Sequence, residues 1–162
     1  MYTVHHGDLT QLFEALRPAS VLWIDPFAGE LPWPSKLTPE PTVHRIDREP
    51  WEQLQVLDRF ALGIVANTLE YLDKRTAQLV LGRLRDVNTQ RFVALVPLGV
   101  QGDHHKSQWE RADLLSFGLN LMASYRVDDR EVGLYHYAVK TYKTTPEWFN
   151  SRHWANPERW RP

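Results

Sequence analysis

Short runs of consecutive apolar residues alternate along the chain with segments whose apolar positions recur every three or four. After Gly7 and Asp8, Leu9, Leu12, Phe13 and Leu16 fall at helical spacing. Asp8 is a candidate cap, and Pro18 stops the helix. Residues 20–24 (Ser-Val-Leu-Trp-Ile) predict a buried strand, ended by the loop Asp25-Pro26-Phe27-Ala28-Gly29. Pro32, Pro34, Pro39 and Pro41 make residues 31–41 an extended connection. Residues 42–46 predict a second strand, closed by Asp47. Pro50 then suits the first turn of a helix carrying Trp51, Leu54 and Leu57. Residues 60–66 are almost continuously apolar, as in a strand covered on both faces. Ala77, Val80, Leu81 and Leu84 mark one face of a helix over residues 74–87, and residues 92–96 form another apolar strand ended by Pro97. Residues 99–103 read as loop, and residues 106–117 as a helix stopped by Gly118. Two β-rich runs, 119–127 and 132–142, flank Asp128-Asp129-Arg130 and predict an antiparallel hairpin.

Strands alternating with helices predict a three-layer Rossmann-like α/β domain. Its sheet should hold about six strands, mostly parallel, with a C-terminal antiparallel hairpin. In such sheets ligands sit beyond the carboxyl ends of the strands, where strand order reverses. The expected division is one domain over residues 1–143 and a Trp-rich extension over residues 144–162, packed on that domain. The full length of 162 residues suits one core. With 19 Lys and Arg against 20 Asp and Glu, the chain lacks the positive field that non-specific nucleic-acid binding requires. The absence of cysteine excludes disulfide scaffolds, thiolate metal sites, iron–sulfur clusters and cysteine nucleophiles. No basic leader segment and no run near the roughly 18 apolar residues of a membrane span is visible. The expectation is a cytoplasmic protein with no membrane partner.

Residues 60–73 (Phe-Ala-Leu-Gly-Ile-Val-Ala-Asn-Thr-Leu-Glu-Tyr-Leu-Asp) resemble the fourth strand and following turn of class I S-adenosylmethionine-dependent methyltransferases. That family has a hydrophobic strand, a polar tip and then Leu-Glu-His-Leu. Here the tip is Asn67 and the sequel Leu69-Glu70-Tyr71-Leu72. Residues 91–97 resemble the fifth strand with its terminal proline. Residues 105–119 are similar to the helix that follows, and residues 119–142 to the last two antiparallel strands. The resemblance spans residues 20–142. It departs at the cofactor turn, where the family has an acid followed by Gly-x-Gly-x-Gly. Trp23 stands in place of the acid, Asp25 and Phe27 in place of two glycines, and only Gly29 keeps its glycine. No third strand with its helix is found, so the sheet should be shortened at one edge.

The resemblance implies S-adenosylmethionine as cofactor, with Asp47 on the ribose hydroxyls, Asp25 and Gly29 along the methionine, Asn67 as a further cofactor-binding candidate whose amide suits an adenine or a substrate, and Asn67 to Tyr71 with His104 and His105 around the acceptor. Each residue also has a structural reading. Asp47 can cap the helix at Pro50, Asp25 can shape an Asp-Pro turn, and Asn67 can satisfy loop backbone. Tyr71 can be a weak acid or a packing residue. The catalytic candidates are His105, His104 and Tyr71, since imidazole is the side chain best suited to proton transfer near neutrality. Adjacent histidines in an extended segment point apart, so Asp103-His104-His105 needs a further ligand such as His5, His6 or His44 to hold a metal, and no metal is assigned.

Trp148, Trp154 and Trp160 recur among Arg152, His153, Arg159 and Arg161. They suit base stacking, a protein partner, or burial against an exposed sheet edge. Two functions stay open: a methyltransferase-like protein that binds S-adenosylmethionine weakly or not at all, and a non-catalytic protein of the same fold acting as a protein-interaction or regulatory module.

Overall fold

The structure is a computed structural model, and it describes residues 6–27, 39–99, 104–127 and 130–139, with backbone only for residues 6–8. The elements run α1 (His6–Leu16), β1 (Ser20–Ile24), β2 (Thr42–Ile46), α2 (Pro50–Leu54), β3 (Leu62–Val65), α3 (Lys74–Arg83), β4 (Arg91–Pro97), α4 (Arg111–Ser116), β5 (Asn120–Val127) and β6 (Arg130–Ala138). They build one six-stranded sheet in the order β2-β1-β3-β4-β6-β5. The first four strands are mutually parallel, and β6 runs antiparallel to both β4 and β5. The chain places β2 on one side of β1 and β3 on the other, so strand order reverses between β1 and β3. No strand lies beyond β2 among the described residues, which is the shortened edge expected from the sequence.

Strand alternation divides the core in two. Leu22, Ile24, Val65, Phe92, Ala94 and Val96 face α2, α3 and α4, where they meet Leu54, Ala77, Val80, Leu81 and Leu114. Val21, Trp23, Leu62, Ile64, Val93 and Leu95 face the other way, toward Leu9 and Phe13 of α1. Trp23 therefore leaves the cofactor turn and enters the α1 face, with the Arg45 guanidinium 4.6 Å above its ring.

Several local expectations are corrected. Asp8 lies in the first turn of α1 rather than at its cap. The residue capping α2 is Glu49, in the left-handed region and without a side-chain cap bond, so Asp47 does not cap it. α2 ends at Leu54, and Leu57 follows it as partly buried packing. β3 is shorter than its apolar run; Phe60 instead makes a single parallel bridge with Thr89. The helix of residues 74–87 is α only to Arg83 and closes through a π-helical turn, Leu84–Asn88. The helix expected from residue 106 begins at Arg111, because Glu110 and Asp113 form a reciprocal capping box. Gly118 ends it at φ 79, as its lack of Cβ allows.

Gly63 pairs with Phe92 across β3 and β4, and its missing side chain leaves room for close packing. A Cβ there would lie 2.8 Å from Thr89 Cγ2 and 2.9 Å from Phe92 Cβ, atoms so near their own backbones that they cannot swing away. Gly63→Ala should destabilise the fold by about 1–3 kcal/mol. Urea unfolding checks this, and an unchanged midpoint would show that the two strands can separate without penalty.

Candidate functional site

The site is built where β2, β1 and β3 end together. Ile24 pairs with Ile46 on one side and Val65 on the other. The next residues, Asp47, Asp25 and Ala66-Asn67, therefore stand in a row across the carboxyl ends, spanning the point of strand reversal. Backbone bonds carry the row one residue further: the Asp25 amide donates to the Ile46 carbonyl at 3.1 Å, and the Ala66 amide to the Ile24 carbonyl at 3.0 Å.

Asp25 is buried and both its carboxylate oxygens are engaged. Oδ1 accepts from the Phe27 amide at 2.9 Å, and Oδ2 accepts from Asn67 Nδ2 at 3.2 Å. Burial pushes its pKa up, and these two bonds act against that rise. Asn67 is buried with φ 45, a conformation that asparagine tolerates better than most residues. The Thr68 hydroxyl lies 2.7 Å from the Ala66 carbonyl and 3.2 Å from that of Ile24, which fixes the tip of β3. Asp25 thus shapes its turn, as its structural reading held, and Asn67 holds Asp25. Asp47 differs: its side chain is 65% exposed and meets only the neighbouring Arg48, at 3.5 Å.

A single 3-10 turn, Leu69–Tyr71, follows. It turns Glu70 inward to complete burial, where neither carboxylate oxygen has a hydrogen-bond partner. Burial above all, with a contribution from the Asp25 charge, raises its pKa to about 7. The sequence shows a Leu-Glu-x-Leu pattern here, but nothing in it separates a solvated glutamate from a buried one. The next residue, Tyr71, is half-buried. Phe27 meets its ring edge-on at 5.3 Å and His105 at the same centroid distance from another side, so three rings form a row over the carboxyl ends. Burial, Arg130 and His104 lower the pKa of His105. His104 is exposed on the adjoining turn.

Residues 106–109 form an extended strap over this turn. The Lys106 and Ser107 amides donate to the Glu70 carbonyl at 2.7 and 3.2 Å. The Ser107 hydroxyl donates to the Leu69 carbonyl at 2.8 Å and accepts from Trp109 Nε1 at 3.0 Å. Trp109 is fully buried, and Lys74 Nζ lies 3.8 Å from its ring centroid while bonding Gln108 and Asp113. Ser107 and Trp109 are supports that helical periodicity concealed. Gly29, Asp103 and the tryptophans beyond residue 143 lie outside the described residues. Among the described residues no three His, Asp or Glu side chains converge as a metal site.

A family model described as a family of unknown function (DUF6231) matches residues 4–161. The chain belongs to the DUF6231 family. No curated protein matches it. Solved structures match the fold of this DUF6231 chain. The N-methyltransferase NodS from Bradyrhizobium japonicum WM9 superposes with a TM-score of 0.59 at 16% identity, over 81% of this chain and 92% of that one. Magnesium protoporphyrin IX methyltransferase (ChlM) from Synechocystis PCC 6803, with bound SAH, gives 0.54 at 11% identity, over 81% and 80%. TehB from Haemophilus influenzae gives 0.58 at 9% identity, over 83% and 62%. The DUF6231 chain therefore has the class I methyltransferase-like fold in a reduced and divergent form. No helix among its described residues is long and apolar enough to cross a membrane.

Proposed function

We propose that the carboxyl-end site binds S-adenosylmethionine weakly and that the protein is a divergent methyltransferase. One observation carries this reading: an exposed carboxylate, Asp47, stands at the end of β2 directly beside Asp25 at the end of β1. The donor set fits the ribose end of the group, since Asp47 is held by nothing but Arg48 and can accept from two hydroxyls. Gly29 is the one glycine left in the turn that would lie along the methionine, and Asp25 and Phe27 crowd that turn, which supports weak binding. When bound, S-adenosylmethionine supplies an electrophilic methyl group. Asn67 keeps Asp25 in place beside it. His105, neutral at pH 7 because its pKa lies below the ordinary value, can take a proton from an acceptor. Tyr71 fixes the orientation of that imidazole, and His104 lies beside it on the rim. Residues 1–143 form the domain in this reading, and residues 144–162 extend it.

Thermal denaturation with S-adenosylmethionine and S-adenosylhomocysteine tests the proposal. Millimolar S-adenosylhomocysteine should raise the midpoint, by the mass-action gain of any ligand that binds only the folded state. Asp47→Ala should abolish that rise while leaving the ligand-free stability within about 0.5 kcal/mol of the parent, because its carboxylate is exposed. No rise with either ligand would overturn the reading. It would favour the second one, a non-catalytic protein-interaction or regulatory module. The engagement of both Asp25 oxygens by the protein itself speaks for that alternative.

A further inference from the structure

A second concave site lies at the opposite end of the sheet. The amino end of β4, the segment leading into β3 and the last residues of β6 border an open cavity of about 230 Å³, lined by Arg59, Gln90, Arg91, Ala138 and Val139. Its backbone is largely self-satisfied. Gln90 N donates to the Phe60 carbonyl at 3.1 Å, Val139 N to the Gln90 carbonyl at 3.4 Å, and Arg91 pairs with Ala138 across the sheet. The polar capacity that remains belongs to three side chains, two of them cations. Arg59 directs Nε and Nη2 onto the Thr89 carbonyl, both at 3.2 Å, which fixes the guanidinium and leaves Nη1 for another acceptor. The ion pairs among the described residues are Arg48–Asp47, Lys74–Asp113, Arg85–Asp86 and Arg111–Glu131, so neither Arg59 nor Arg91 is neutralised there. His136 lies diagonally across from Arg91, because Val93 pairs with His136 where Arg91 pairs with Ala138. Its imidazole Nε2 is buried without a partner.

We propose that this cavity binds the phosphate group of a small molecule, held between the guanidinium groups of Arg91 and Arg59 with the Gln90 amide beside them. Two cations that no carboxylate pairs among the described residues leave a local charge that a dianion balances, and guanidinium forks match phosphate oxygens in pairs. The volume sets the size of the carrier. Pockets that enclose drug-sized ligands run from about 300 Å³ upward, so this cavity suits a phosphate on a short carrier and not a nucleotide. The overall balance of 19 basic against 20 acidic residues places this positive pair as a local feature rather than part of a nucleic-acid footprint. The site is independent of the carboxyl-end reading.

Titration of the isotopically labelled full chain with inorganic phosphate and with glycerol phosphate, at constant ionic strength, tests it by NMR. Saturable shifts are expected at the Gln90, Arg91 and Val139 amides and at the His136 ring. Arg91→Gln should weaken binding by about tenfold or more. That guanidinium makes no ion pair among the described residues, so the variant should fold normally. Arg59→Lys keeps the charge, loses the fork on Thr89 and should weaken binding less than Arg91→Gln. Tighter binding of glycerol phosphate identifies a phosphomonoester as the ligand, and equal binding identifies free phosphate. Three results would overturn the proposal: no saturation at millimolar ligand, equal shifts in Arg91→Gln, or tighter binding of a short oligonucleotide than of either small anion.

Discussion

Replacing Glu70 by glutamine should flatten the acid-to-neutral slope of this protein's stability. The Glu70 carboxyl is fully buried, lacks a hydrogen-bond partner and has its pKa raised from 4.5 to about 7. In the folded protein it therefore keeps its proton over a range where the unfolded chain has already lost it. Stability contributed by a group of this kind is whole below pH 4.5, falls as pH rises through that window and levels off above about 7. The loss is on the order of 3 kcal/mol, a large share of the roughly 5–15 kcal/mol that holds a domain together. His105 and His136 have lowered pKa values and act in the opposite sense over part of the same range. The informative quantity is therefore the difference between parent and Glu70→Gln, followed by urea unfolding from acid to mildly alkaline pH. That difference should shift in favour of the variant as pH rises. Superimposable profiles would mean that Glu70 is ionised and solvated in the folded protein.

Trp109→Ala should be the most damaging single truncation near the site, costing about 3–5 kcal/mol. The ring is fully buried, its indole N–H donates to Ser107, and Lys74 covers its face at 3.8 Å. Its loss leaves a cavity and also frees the strap whose amides bond the Glu70 carbonyl. Trp109→Phe keeps most of the packing and loses the N–H, so it should cost about 1–2 kcal/mol. Chemical unfolding gives both values. A loss for Trp109→Ala no greater than for Trp109→Phe would show that the strap is held by its backbone alone.

The strands were the most legible part of this chain. β1 after Ser20, β3 and β4 are near-continuous apolar runs, as expected of strands covered on both faces of the sheet. The shortened edge was legible too, because an absent strand leaves no apolar run to find. Helix ends were not. Residues 106–117 read as one helix in sequence, yet a local capping box at Glu110 starts the helix after Trp109. Aspartate at position 47 satisfied two readings equally in sequence, and only the left-handed Glu49 cap removed one of them.

The sequence by itself determined the α/β class, the apolar strands of the sheet and the loss of the ordinary glycine turn. These depend on residue type and on spacing along the chain. The tertiary structure decided which polar groups are solvated. It turned Trp23 into the α1 face, bound Asp25 to Asn67, buried Glu70 without a partner and brought Arg59 and Arg91 to one cavity. The physical reason is that desolvation and electrostatic coupling act between neighbours in space. Asp25 and Asn67 stand 42 residues apart in the chain, and nothing local to either one records that they meet.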